Sequence, residues 1–217
     1  ECRKSFGRNL ARECPSDADI VVPVPDSGVP AALGYSEESK IPFELSIIRN
    51  HYVGRTFILP TQSNRQSSVK LKHNPDRSSI KGKSVVLVDD SIVRGTTSVK
   101  IVELMREAGA SEIHMRIACP PIKYPDFYGI DTPETEQLLA SNKNLEEMCN
   151  YIGADTLGFL SLDGLYQSMG CSEGRNNDTP EYTDHCFTGD YPTNLNDYKS
   201  EKIQEQLSLL SENESQN

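Results

Sequence analysis

The chain alternates between two hydrophobic periods. Residues 5–14 put Phe6, Leu10 and Cys14 at i, i+4 and i+8, one face of a helix. Residues 19–25 (DIVVPVP) are a short apolar run that stops at Pro-Asp-Ser-Gly, as a buried strand does. The spacing predicts a helix over 29–39, with Pro30 in its first turn and Ala31, Ala32 and Leu33 behind it. A second strand is expected over 43–48. Residues 60–79 are polar and without period, and a stretch that long inside a compact domain reads as a functional lid or a disordered segment. Residues 83–88 (KSVVLV) are the strongest strand, apolar after the first two positions, as in the middle of a parallel sheet. A helix over 97–108 stopping at Gly109, a strand over 113–119 and helices over 134–140 and 144–152 follow. The second of these carries Leu145, Met148, Cys149 and Ile152 on one face. A last strand over 156–161 leads to a helix over 162–169. Strands alternating with helices argue for an α/β fold with a doubly wound, mostly parallel sheet flanked by helices.

At 217 residues the chain fits one sizeable α/β domain with an extension. The domain is placed at 1–169, with a lid at about 49–79. From Gly170 the composition shifts to Asn, Asp, Ser, Thr and Gly, so 170–217 reads as a C-terminal extension. Its last nineteen residues are polar apart from Ile203, Leu207, Leu209 and Leu210, which predicts a frayed or disordered tail. The formal charge of −10 argues against nucleic acid as a partner. Between Arg49 and Lys83, however, there are eight Lys/Arg and one Asp, a local +7 in an otherwise acidic chain. Such a segment between two strands fits a small anion. The six cysteines have no C-x-x-C spacing and read as reduced thiols of a cytoplasmic protein. No apolar run is long enough to span a bilayer, and no signal peptide is apparent. The start at Glu1, without an initiator Met, reads as an internal cut.

The chemistry is concentrated in Val85-Val-Leu-Val-Asp89-Asp90-Ser91-Ile92-Val93-Arg94-Gly95-Thr96-Thr97-Ser98. An apolar strand delivers two adjacent carboxylates at its C-terminal end, where open α/β sheets bind ligands. A turn with Gly95 then opens a helix, whose first N–H groups and positive dipole end suit a phosphate. Thr96, Thr97 and Ser98 add hydroxyl donors. Asp89 and Asp90 are ill placed to hold a phosphate but suit vicinal sugar hydroxyls, and Mg²⁺ through water. Taken singly, an Asp pair is often only a helix cap and Gly-Thr-Thr a common turn. In this order on one strand–loop–helix unit they read as a phosphosugar site. Neither a Walker loop nor a dinucleotide fingerprint is present.

This run resembles the signature of type I phosphoribosyltransferases, which implies that Asp89 and Asp90 meet the ribose hydroxyls of phosphoribosyl pyrophosphate (PRPP) and that residues 91–98, Ser91 and Arg94 included, cradle the 5-phosphate. Three further runs narrow the resemblance: Val24-Pro-Asp-Ser-Gly28, Tyr52-Val-Gly-Arg-Thr-Phe-Ile58 and Pro120-Pro-Ile-Lys-Tyr-Pro125. Together they resemble the C-terminal half of the glutamine PRPP amidotransferase family over about residues 1–195. That resemblance implies formation of 5-phosphoribosylamine, the first committed step of purine synthesis, with ammonia from an N-terminal glutaminase domain displacing pyrophosphate at C1. It implies that Asp26 to Gly28 receive the pyrophosphate, that Ser27 joins Asp89 and Asp90 around Mg²⁺, and that residues 49–72 fold over the substrate. Arg49, Arg55 and Lys70 are the expected charge contacts, with Tyr52 in the same lid. A homotetramer and inhibition by purine nucleotides are also implied.

The chain departs from the family pattern in places. The glutaminase half is absent from these residues, and Cys2 is not its nucleophile. Some members hold a 4Fe-4S cluster on four cysteines; here Asp126 and Thr183 stand at two of the three visible positions and only Cys186 remains, so no cluster is expected. The His185-Cys186 pair carries little weight as a metal pair on spacing alone. His51 stands where Arg is more usual. Two rival readings remain: a nucleobase phosphoribosyltransferase, which needs a base-stacking aromatic in its hood, and a non-catalytic PRPP-sensing module, which needs a basic extension.

Overall fold

The apolar runs become strands whose neighbours lie far away in sequence. The computed structural model describes residues 1–49, 73–130, 132 and 134–195. Its elements are α1 (Cys2–Glu13), β1 (Ile20–Pro23), α2 (Val29–Ser39), β2 (Ile47–Arg49), β3 (His73–Pro75), α3 (Arg77–Ile80), β4 (Ser84–Asp89), α4 (Thr96–Ala108), β5 (Glu112–Ile117), a 3-10 turn (Thr135–Gln137), α5 (Leu139–Asn142), α6 (Leu145–Ile152), β6 (Thr156–Phe159), α7 (Leu162–Ser168) and α8 (His185–Thr188). Strands β1, β4, β5 and β6 form a parallel sheet in that order. A short antiparallel ribbon, β2 with β3, stands beside it.

Register explains how the sheet buries both faces. Val22, Leu87, Met115 and Leu157 lie opposite one another across the strands, in one apolar row. With Ile101, Met105, Met148 and Ile152 they form the core under α4 and α6. The alternate positions Val21, Val86 and Val88 face α1, α2 and α7 through Leu10, Ala32, Tyr35 and Leu165. Period-2 alternation with apolar residues on both sides is what a doubly wound sheet requires. Arg116 is the buried exception in β5. Its guanidinium donates to the carbonyls of Cys14, Pro15 and Met115 and to Ser16 and Thr156, and so ties the α1–β1 connection to the sheet.

Some expectations change. The run 43–48 is not one strand: Phe43 bridges Val21 at the edge of the main sheet, and only Ile47–Arg49 form a strand, in the ribbon with β3. The polar stretch reaching residue 79 is ordered at its end. His73–Pro75 pair with β2, and Asp76 caps α3 by accepting the Ser78 N–H at 2.9 Å. Polar side chains there satisfy the backbone locally, so no hydrophobic period was needed. The expected helix at 134–140 is a 3-10 turn followed by α5. The rest of the expected lid, 50–72, and the tail, 196–217, lie outside the described residues. After Gly170, Arg175 is buried between Asp184 and Asp190, at 2.6 Å from each, and Tyr166 donates to Asp184 at 2.8 Å. That network fastens residues 171–190 to α7. Among the described residues the six cysteines form no disulfide, and no helix is long and apolar enough to cross a membrane.

Helices α1 and α2 meet through glycines. A Cβ on Gly34 would lie 1.9 Å from the Lys4 carbonyl oxygen, and one on Gly7 would lie 1.8 Å from that of Ala31. On an exposed helix Gly→Ala stabilises by about 1 kcal/mol. Here the sign is expected to reverse: Gly34→Ala lowers the unfolding free energy by about 1–3 kcal/mol through forced separation of the helices. Urea denaturation checks this, and a raised midpoint would contradict the close contact.

Candidate functional site

Strand β4 ends the sheet's most buried run. Val85 to Val88 are each 0% exposed, and the next side chain is the carboxylate of Asp89, 7% exposed. Asp89 Oδ1 accepts the backbone N–H of Asp90 at 2.8 Å, and the exposed Asp90 accepts from the Ser91 hydroxyl at 3.2 Å. Burial first, then the charge of Asp90, pushes the Asp89 carboxyl from 3.8 up to about 8. Burial and the same two carboxylates also push the nearby Cys119 thiol up.

The loop then turns into α4. Gly95 stands at the N-cap with φ +76° and has no side chain with which to cap the helix. A left-handed backbone here excludes most side chains, and a Cβ would also lie 2.7 Å from Leu139. The first N–H groups of a helix have no intrahelical partner, so those of Thr96, Thr97 and Ser98 are open to an anion. The loop is held from behind by the Leu139 N–H on the Val93 carbonyl, 2.9 Å. Arg94 donates to Gln137 at 3.0 Å.

A cavity of about 430 Å³ joins these parts. Asp89, Asp90, Ser91, Arg94, Gly95, Thr96, Thr97 and Ser98 line it, and so do Ser27 and Arg49. Asp26 stands beside it, paired with Arg49 at 2.6 Å. Gly28 follows Ser27 in the same turn, and a Cβ there would lie 2.5 Å from the Val88 carbonyl oxygen and 2.7 Å from that of Val24. Tyr52, Arg55 and Lys70 lie outside the described residues. His73 also lines the cavity, although no role was read for it; it lies opposite Arg49 in the β2–β3 ribbon, a long-range pairing that leaves no local pattern. Val24 and Pro25 line the cavity too, as the end of the first strand.

The donor set suits Mg²⁺. Two carboxylates and the Ser27 hydroxyl are hard oxygen groups, and Asp89 is buried without an ion pair among the described residues. The 4Fe-4S positions do not fit a cluster. Asp126, Thr183 and Cys186 offer a carboxylate, a hydroxyl and one thiol, where four thiolates are required.

Comparison with known proteins agrees with this geometry. The phosphoribosyl transferase domain matches residues 6–125. The chain is 62% identical over 212 residues to an amidophosphoribosyltransferase of Rhizobium etli, covering 97% of this chain and 42% of that protein. It is 51% identical over 193 residues to the amidophosphoribosyltransferase of Bacillus subtilis, covering 89% and 40%. The solved B. subtilis glutamine PRPP amidotransferase, complexed with ADP and GMP, superposes with a TM-score of 0.76 at 50% identity, covering 89% of this chain and 42% of that one. The chain thus spans about two fifths of the length of the curated relatives it matches.

The raised Asp89 carboxyl has a consequence for stability. It stays protonated in the native chain up to about pH 8 but ionises in the unfolded chain near 3.8. It therefore favours the native state at low pH, and that advantage is lost as pH rises toward 8. Asp89→Asn is expected to match the parent near pH 4 and to exceed it by up to a few kcal/mol at pH 8. Urea denaturation from pH 4 to 9 measures the difference; an identical pH dependence in both would contradict the raised carboxyl.

Proposed function

The chain belongs to the phosphoribosyl transferase domain family, and on that premise we propose that it is the phosphoribosyl-transferring part of an amidophosphoribosyltransferase, in which ammonia displaces pyrophosphate from PRPP to give 5-phosphoribosylamine. The observation that carries this reading is the single cavity in which the Asp89–Asp90 pair, the N-terminus of α4 and the Ser27 turn with Arg49 converge.

The parts divide the substrate among them. The 5-phosphate takes the N–H and hydroxyl groups of residues 95–98, where the helix dipole favours negative charge. The vicinal ribose hydroxyls donate to Asp89 and Asp90. The pyrophosphate lies over the Ser27 turn and draws Arg49 from Asp26. Mg²⁺, when bound, would be held by Ser27, Asp89 and Asp90 and would supply positive charge against the pyrophosphate. The ammonia lone pair forms the new C1–N bond while the C1–O bond to pyrophosphate breaks, its electron pair leaving on that oxygen; the surplus proton on nitrogen goes to solvent. Ammonia needs no general base to attack. The barrier lies in the charge that develops on the leaving group and on the sugar, and fixed charges on both sides of the cavity answer it. Tyr52, Arg55 and Lys70 belong to the same proposal as lid contacts that close over the substrate and exclude water.

The fuller assembly is part of this reading. A glutaminase domain would supply the ammonia, purine nucleotides would compete through the phosphate loop, and the enzyme would work as a cytoplasmic homotetramer without a 4Fe-4S cluster. Residues 1–169 are its transferase domain and 170–217 its extension.

Pyrophosphate release from PRPP is expected with ammonium and not with adenine, guanine or orotate. Asp90→Asn should lower kcat/KM for PRPP on the order of 10²-fold, about 2.7 kcal/mol of transition-state stabilisation. Turnover with a nucleobase would assign the site to base transfer instead. PRPP binding without release under either condition would make it a sensor.

A further inference from the structure

Outside the phosphosugar cavity, ligand-bearing side chains from two distant stretches meet. Asp126 follows β5 by a loop, while His185 and Cys186 open α8. The loop is tied to α8 by the N–H groups of Lys123 and Tyr124, which donate to the Cys186 carbonyl at 2.9 and 3.1 Å. One ligand atom from each of Asp126, His185 and Cys186 lies within 4.8 Å of the others. The Asp126 and His185 side chains are 4% and 6% exposed.

The hydrogen-bond inventory of the imidazole is incomplete. His185 Nε2 meets Asp126 Oδ2 at 2.7 Å, but Nδ1 is buried with no hydrogen-bond partner among the described residues. A buried polar atom left unmatched costs about 1–3 kcal/mol. Asp126 is held ionised: burial opposes its charge, but the N–H groups of Ile130 and Tyr128, each at 2.8 Å from Oδ1, and His185 outweigh it. Tyr191 stacks on the His185 ring and Tyr128 meets it edge-on, both at 5.1 Å. The three groups therefore lie in an apolar wall, fixed from several sides.

We propose that Asp126, His185 and Cys186 bind one divalent cation of the zinc class. An oxygen, a nitrogen and a sulfur donor suit Zn²⁺, with water in the fourth tetrahedral position. The sulfur selects against Mg²⁺ and Ca²⁺, which prefer all-oxygen shells. His185 Nε2 already faces the Asp126 carboxylate at 2.7 Å, so an ion shared by the two takes that nitrogen in place of their hydrogen bond. A carboxylate and a thiolate together neutralise a dication, so the filled site carries no net buried charge. Binding replaces the thiol proton of Cys186, which goes to solvent, so uptake weakens as pH falls. One ion on a mixed donor set is distinct from a four-thiolate cluster, and the site does not depend on the phosphosugar reading.

Purified protein equilibrated with zinc and then gel-filtered is expected to keep one Zn²⁺ per chain by elemental analysis. Equilibrated with Co²⁺ instead, it should show a thiolate-to-cobalt charge-transfer band in the near ultraviolet. Cys186→Ser should abolish that band, Asp126→Asn should weaken Zn²⁺ binding at least 10-fold, and Cys2→Ser, which changes an exposed thiol, should alter neither. Circular dichroism melts of each variant show whether it folds. If Cys186→Ser does not fold, the parent spectrum decides alone. A parent that retains no zinc, a Co²⁺ spectrum without the sulfur band, or a band that survives in folded Cys186→Ser would overturn the proposal.

Discussion

A parallel strand buried on both faces has to end somewhere, and what it ends in is constrained by everything packed around it. β4 lies between β1 and β5 and is covered on one face by α4 and α6 and on the other by α1, α2 and α7, so Val85 to Val88 are closed off on every side before Asp89 is reached. The carboxylate cannot retreat to water without unzipping both ladders. It stays at the strand's C-terminal end with the Asp90 N–H as its near partner and a second carboxylate beside it. Left alone, this arrangement is unfavourable, as the upward shift of its titration expresses. A ligand that offers hydroxyl donors or a cation relieves it, and so the core's packing sets up the site's affinity.

The same constraint sorts what was legible in the sequence. The Val85–Ser98 unit could be read whole because strand, carboxylates, turn and helix start are contiguous, and each has a local signature. α6 was legible for the same reason, because Leu145, Met148, Cys149 and Ile152 mark one face of a single local run; the capping box of Asn144 and Glu147 at its start was a further local signal. The β2–β3 ribbon was not, because it joins residues on either side of a long polar segment and its strands are only three residues each. His73 enters the cavity through that pairing alone. The backbone clearance that Gly28 provides against Val24 and Val88 is a further feature of that turn, visible only once the strand ends are placed. Polar composition after Gly170 suggested a loose extension; Arg175 with two aspartates gives that segment a buried electrostatic anchor, which composition alone does not distinguish from a solvated run.

Charge is segregated within the cavity. The Asp89–Asp90 end is acidic and accepts hydrogen bonds. The α4 end offers N–H groups, hydroxyls and a positive dipole, and Arg49 lines the same cavity with its charge held by Asp26. A ligand that carried only phosphate would leave the carboxylates unanswered, and a neutral sugar would leave the helix end to water. A molecule with an anionic group at one end, a diol between and a second anionic group at the other satisfies all three regions at once. Arg49 sharpens the point. Its pairing with Asp26 is partly exposed and so worth little by itself, which makes the guanidinium easy to transfer to a more highly charged partner arriving over the Ser27 turn. The proposed site is thus built less around any one strong contact than around a pattern of matched signs, the pattern that a sugar phosphorylated at both ends would answer under the proposed function.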